Sequence, residues 1–405
     1  MRTFILLLLI SGLAVLQAGE AEALAIHQQI RDRHMPYGAV MDPMFTSPDT
    51  TDIFTYTRCG DSAIWTGHYL AAESYRWAVT RSPEAREQIM AALNGIRKLV
   101  DVTGNDTLAR CAFPVDSPYA TDLASEEQHH GIHTGIIDGI PHFWVGNTSR
   151  DQYMGVFFGL TAAFQMVPDQ EVHDWVAMLS TRMLQRLLND NFNIVIPNQG
   201  VSTTFLHRAD QQLALLKLGR RIHPRAFETA YRTRANLFAP SVPTILRIEA
   251  ADEHSSYFKF NLAHIGFYNL LTSGDNWVVS SLYRRGYDVL RGATEGHNNV
   301  FFDTIATLIE GRQPERDERI RRGLDAWLER PRRDFWVDLR PVYPPCGNDD
   351  NRGCQVVPIA ERTPTDFLWQ RSPFQLYGGL YGTIEGAGID YILPYWMARH
   401  AGIVH

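Results

Sequence analysis

Two kinds of apolar pattern alternate along the chain. Residues 59–80, CGDSAIWTGHYLAAESYRWAVT, are apolar on nearly every side, whereas residues 82–100 carry apolar positions at helical spacing opposite a charged face. Ser82-Pro83-Glu84 puts a capping hydroxyl and a first-turn proline at the join, so the two segments read as an antiparallel helical hairpin. The rhythm recurs in residues 151–167 with 169–188, 209–218 with 224–237, 257–271 with 277–290, and 298–309 with 314–328. A last apolar helix is predicted over 388–400, and one near 21–33 completes a sixth pair. A helix apolar all round is a buried helix, so the first member of each pair is expected inside and the amphipathic second member outside. No strand is predicted, and residues 105–149 read as a long loop of the kind that carries function.

Helix pairs repeating every 40 to 50 residues or so occur in solenoids and toroids. Here the pairs are irregular and the long connections fall before the apolar helices, which favours a closed all-α toroid with a crater at one end. The stretches GDSAIWTGHYLAAES, SRDQYMGVFFGL, EGHNNVFFDT and FLWQRSPFQLYGG, set in this rhythm, resemble the six-hairpin, or (α/α)6, toroids of glycoside hydrolases and polysaccharide lyases, in a secreted bacterial branch. The resemblance implies a carbohydrate substrate bound in the crater formed by loops before the inner helices, with acidic residues there doing the chemistry.

Asp61 and Asp151 each stand at the start of an apolar helix, so a toroid would turn both toward one crater. Glycoside hydrolysis needs two carboxylates flanking the scissile bond, one holding a proton and one ionised, and this pair is the first candidate. Helix capping is the competing explanation for either residue taken alone. Glu385, in the glycine-rich YGGLYGTIEGAG, is the reserve carboxylate. Arg150, Gln152 and Tyr153 flank Asp151 and are candidates for holding substrate. Arg150 and Tyr153 would equally suit a lyase or uronate epimerase, in which arginine neutralises a uronate and tyrosine or histidine moves a proton. His254 and His297 precede later apolar helices, and Trp369 and Arg371 stand where a ring and a cation could meet a sugar. The cluster EEQHHGIH at 126–133 lacks the HExxH spacing of a helical zinc site and reads as a solvated loop, so neither metal nor cofactor is expected.

The first residues place Arg2 before an apolar run and then small residues, the layout of a signal peptide. Small-x-small sites at Ala21-Glu22-Ala23 and Ala23-Leu24-Ala25 put its end near residue 25, leaving 26–405 as one domain, periplasmic or secreted, with no membrane contact after cleavage. Four cysteines suit an oxidising compartment: Cys346 with Cys354 across a short loop, and by remainder Cys59 with Cys111. A net charge of -7 and no basic stripe argue against nucleic acid. GxSxG and phosphate-loop motifs are absent, which removes those chemistries. A glycan-binding or envelope-protein-binding toroid without catalysis is the remaining alternative.

Overall fold

A computed structural model describes residues 19–251, 257–364 and 366–405. The helices are α1 (Glu20–Gln29), α2 (Ser62–Thr80), α3 (Pro83–Asp101), α4 (Ala120–Glu126), α5 (Arg150–Met166), α6 (Gln170–Asn189), α7 (Ala209–Ile222), α8 (Pro224–Phe238), α9 (Val242–Ala250), α10 (Phe258–Leu271), α11 (Trp277–Thr294), α12 (Val300–Glu310), α13 (Pro314–Leu328) and α14 (Ile389–His400). No described helix is long and apolar enough to cross a membrane.

Each expected hairpin is present, and burial follows the pattern that predicted it. Helices α2, α5, α7, α10, α12 and α14 are buried along most of their length, while α8 buries only Phe227, Tyr231 and Ala235. The buried helices touch in a cycle: α2 packs on α5, α5 on α7, α7 on α10, α10 on α12, α12 on α14, and α14 returns to α2. Outside it, α3, α6, α8, α11 and α13 each lie against the buried helix that precedes them, and α1 lies against α14. The outer helices α3, α6 and α11 start on side-chain caps, Ser82, Asp169 and Asn276, each accepting from the backbone three residues on.

Helices α2 and α5 meet in a close seam. A Cβ on Gly67 would stand 2.1 Å from the Gly155 carbonyl oxygen, and one on Gly159 would stand 2.2 Å from that of Gly67. With no side chain at these positions the two backbones touch, and the N-termini of α2 and α5 are drawn together.

The all-α expectation fails at the connections. The strands are β1 (Asp42–Phe45), β2 (Ile53–Thr57), β3 (Cys111–Pro114), β4 (Ile132–Ile137), β5 (Ile140–Val145), β6 (Asn193–Ile196), β7 (Gly200–Thr204), β8 (Arg333–Asp338), β9 (Pro345–Cys346), β10 (Asp349–Gly353) and β11 (Tyr377–Glu385). They form small antiparallel sheets, ordered β2-β1-β11-β8, β3-β5-β4, β6-β7 and β10-β9. The stretch read as a 105–149 loop therefore holds a sheet and α4. Its hairpin turns on Asp138-Gly139, both at positive φ, the pairing that a two-residue turn between twisted strands requires. Backbone groups in so long a connection need partners, and pairing with one another supplies them.

Cys346 and Cys354 are bonded, closing the β9–β10 hairpin. The other expected disulfide is not formed: Cys59 and Cys111 are free thiols, buried in a small second core with Phe113, Leu123 and Val145. Burial and the neighbouring Cys111 thiol push the Cys59 thiol up, so it sits there as an apolar group.

Candidate active site

A cavity of about 480 Å³ opens where α2, α5, α10 and α14 begin, lined among others by Asp61, Asp151, Phe258 and Asp390. Trp65, Trp327 and Phe367 supply ring surface. Beneath them Trp369 is fully buried, its ring centroid 4.7 Å from Phe301 and 5.2 Å from His68. Trp369 thus supports the floor and does not line the cavity.

Asp61 is the N-cap residue of α2 but makes no capping bond. The amides that it would cap are already taken. Ala63 N–H donates to the Arg110 carbonyl at 3.0 Å, and Ile64 N–H donates to Gln152 Oε1 at 3.0 Å. Gln152 in turn donates from Nε2 to Asp61 Oδ1 at 2.9 Å. Its amide thus fills the cap position and turns the carboxyl of Asp61 away to the cavity, where the side chain keeps 39% of its surface. Burial raises the Asp61 carboxyl first of all, and the charge of Asp151 adds to it, while Arg110 and Gln152 oppose; the result is about 6. Capping, the competing explanation from sequence, is not what this residue does.

Asp151 accepts from the Ser149 hydroxyl, and Ser149 Oγ is held by Arg110 Nη2 at 2.7 Å. Arg110 Nη1 donates to the Gly60 carbonyl at 2.9 Å and approaches Asp61 Oδ1 at 3.4 Å, and Nε donates to the Asn147 carbonyl at 2.9 Å. One guanidinium therefore ties both carboxylates to one frame. Sequence reading passed over Arg110 because it lay in the presumed loop. The expected result for Arg110→Met is a loss of turnover of about 100-fold as the frame loosens. Removing the cation also raises the Asp61 pKa, so the alkaline limb of the pH–rate profile should move upward. An unmoved limb would show that the charge of Arg110 does not reach Asp61.

Most other carboxylates of the cavity have a cationic partner. Asp42 meets Arg58 at 3.4 Å, Asp390 meets Arg330 at 3.4 Å, and Asp366 pairs with Arg371. Burial still holds Asp42 and Asp390 above the ordinary aspartate range. Glu127 accepts from Gly60 N–H at 2.8 Å and from His130; burial would raise it, but these bonds hold it below the ordinary range. None of Asp42, Asp366, Asp390 or Arg330 was singled out from sequence, and Glu127 only as part of the EEQHHGIH cluster.

Several expected site residues lie elsewhere. Arg150 points to the Thr204 carbonyl at 3.4 Å, among Arg208, Asp210 and Glu249, because α5 turns its first residue outward. Tyr153 is fully buried and accepts from Leu108 N–H at 3.1 Å, which makes it a packing residue. His297 is buried among Tyr257, Phe260 and Phe374, with its carbonyl accepting from Arg362. Glu385 does not line the cavity. It sits among Arg33 and Arg333, each at 3.3 Å, and His34 at 3.5 Å; burial works against it, yet the His34 hydrogen bond and the charges of Arg332 and Arg33 hold it down at about 2. Its charge is committed to joining β11 to the chain near α1. Asp61, Asp151, Gln152 and Arg371 are at the cavity or bonded to a residue that lines it, and His254 lies outside the described residues.

No protein-family model and no curated protein matches the chain. Among solved structures, the chain is similar to cellobiose 2-epimerase from Spirochaeta thermophila DSM 6192, at 10% sequence identity over 95% of this chain and 97% of that chain, with a TM-score of 0.43. At that distance the likeness bears on neither substrate nor reaction, and the chemistry rests on the side chains.

Proposed function

We propose that the chain is an exported (α/α)6-toroid enzyme that hydrolyses a glycosidic bond in an oligo- or polysaccharide. The observation that carries this reading is Asp61, released from capping by Gln152, raised to about 6, and facing one ring-lined cavity with Asp151. Asp61 is the general acid that protonates the leaving oxygen, and Asp151 is the partner that activates water or attacks the anomeric carbon. Trp65, Trp327 and Phe367, largely buried, reach the cavity wall and give it an apolar patch beside the carboxylates. Arg371 stands at the edge as a hydrogen-bond donor to hydroxyls. Arg150 and Tyr153, two of the residues on which a lyase or uronate epimerase was drawn from sequence, are turned to other partners, while the histidine base which that alternative also allows has candidates in His129 and His130 on the cavity wall.

Export rests on the apolar leader. Helix α1 buries Ala23 and Ile26 against the core, which favours removal of the leader upstream of Glu20 over a cut at Ala23 or Ala25.

The test is a panel of plant, bacterial and uronate-rich glycans incubated with wild-type protein, Asp61→Asn and Asp151→Asn, reading reducing ends, ultraviolet absorbance and sugar epimers together. New reducing ends without absorbance, lost in both variants, are expected. Absorbance would move the assignment to a lyase, and an epimerised product without cleavage to an epimerase. Turnover that survives both substitutions would remove Asp61 and Asp151 from the chemistry.

A further inference from the structure

On the wall of the same cavity a second group of side chains converges, and the acid/base argument makes no use of it. Helix α4 ends at Glu126 and the chain passes through a single tight turn at Gln128–His130, which brings Glu127, His129 and His130 together. The Glu127 carboxylate is anchored by Gly60 N–H at 2.8 Å and meets His130 Nδ1 at 2.6 Å. His129 Nδ1 meets the Glu126 carbonyl at 3.1 Å, and the two imidazole rings stand 3.9 Å apart between centroids. Glu126 is otherwise engaged, accepting from Thr57 Oγ1 and Arg58 N–H. One donor atom from each of Glu127, His129 and His130 lies within 4.8 Å of the other two.

We infer that Glu127, His129 and His130 bind one divalent ion of the zinc class on the cavity wall. Two imidazoles and a carboxylate suit a borderline ion such as Zn2+, whereas Ca2+ and Mg2+ take shells made of oxygen. Adjacent ligands around a tetrahedral zinc stand about 3.4 Å apart at bond lengths near 2.1 Å. The Glu127–His130 contact, at 2.6 Å, is already within about 1 Å of that separation. The Glu126 carbonyl at His129 Nδ1 is an orienting contact of the kind that metal-binding histidines use, and it leaves Nε2 of that ring for the ion. Three protein ligands leave coordination positions open to the cavity, for water or a sugar hydroxyl. The inference does not depend on the hydrolytic reading.

The test uses the full mature chain without a histidine tag, stripped with chelator and dialysed against Zn2+, with metal content read by elemental mass spectrometry and affinity by calorimetry. One Zn2+ per chain is expected, retained by Asp61→Asn and by Cys59→Ser/Cys111→Ser, and absent from His129→Ala/His130→Ala. Glu127→Gln is expected to weaken binding at least about tenfold. Circular dichroism checks that each variant is folded, and Glu127→Gln decides the matter if the double histidine variant is not. Equal zinc content in wild type and in a folded double histidine variant would overturn the site. Ca2+ binding as tightly as Zn2+ at the same residues would overturn the class of ion.

Discussion

Asp61→Asn is expected to lose turnover by about 1000-fold, within the range of a general acid's contribution, and to become more stable at pH 8. The two effects have one source. A carboxyl whose folded-state pKa is about 6 against an ordinary 3.8 costs stability whenever it is ionised in the folded chain. That cost is fully present above pH 6, shrinks as pH falls toward 3.8, and is gone below it. The asparagine carries no charge and escapes it, with a gain of about 1 kcal/mol at pH 8 once screening of a partly exposed side chain is allowed for. At pH 3.5 the gain should vanish. Melting midpoints of wild type and Asp61→Asn at the two pH values measure this directly. Equal midpoints at pH 8 would mean that Asp61 is an ordinary aspartate and not the proton donor. Wild-type turnover should correspondingly decline as pH rises through about 6, because the donor form is being lost.

Gly67→Ala is expected to destabilise the chain strongly. Its Cβ would lie 2.1 Å from the Gly155 carbonyl oxygen, against backbone, so no side-chain rotation relieves the overlap. Helices α2 and α5 must separate, and with them Asp61 from Gln152 and Ser149 from Arg110. A loss of at least about 3 kcal/mol follows, read as a lower urea midpoint, with turnover reduced in whatever folded fraction remains. Gly104→Ala is the natural control for alanine content: Gly104 is a turn residue with open space around its Cβ position, so only its positive φ is strained. A Gly67→Ala chain as stable as Gly104→Ala would show that the seam between α2 and α5 is looser than described.

Local pattern reached much of this protein. Apolar-all-round segments became buried helices, and amphipathic ones covered them, because 3.6-residue periodicity reports burial whatever the partner. Ser82-Pro83 marked a helix start since a cap acts within its own turn, and Asp169 and Asn276 cap their helices in the same way. The strands were missed because they are short and lie in connections, although Asp138-Gly139 between apolar runs was a readable hairpin signal. Cys346 and Cys354 were legible as a pair separated by seven residues.

The roles of neighbours in sequence were a different matter. Arg150, Asp151, Gln152 and Tyr153 are consecutive, yet successive helix positions point about 100° apart. Asp151 lines the cavity, Gln152 reaches across to α2, Arg150 turns to β7, and Tyr153 is buried. Arg110, Glu127 and Asp42 come to the site from separate connections, and no spacing in the chain announces that. Sequence alone determined the paired helices, though not α4 or α9, which of the pairs' members are buried, and that carboxylates open two of them. Tertiary structure decided that Gln152 and the Arg110 carbonyl take over the capping of α2, leaving Asp61 beside Asp151 with a raised pKa. That outcome depends on long-range hydrogen bonds and on the exclusion of water, neither of which a one-dimensional pattern contains.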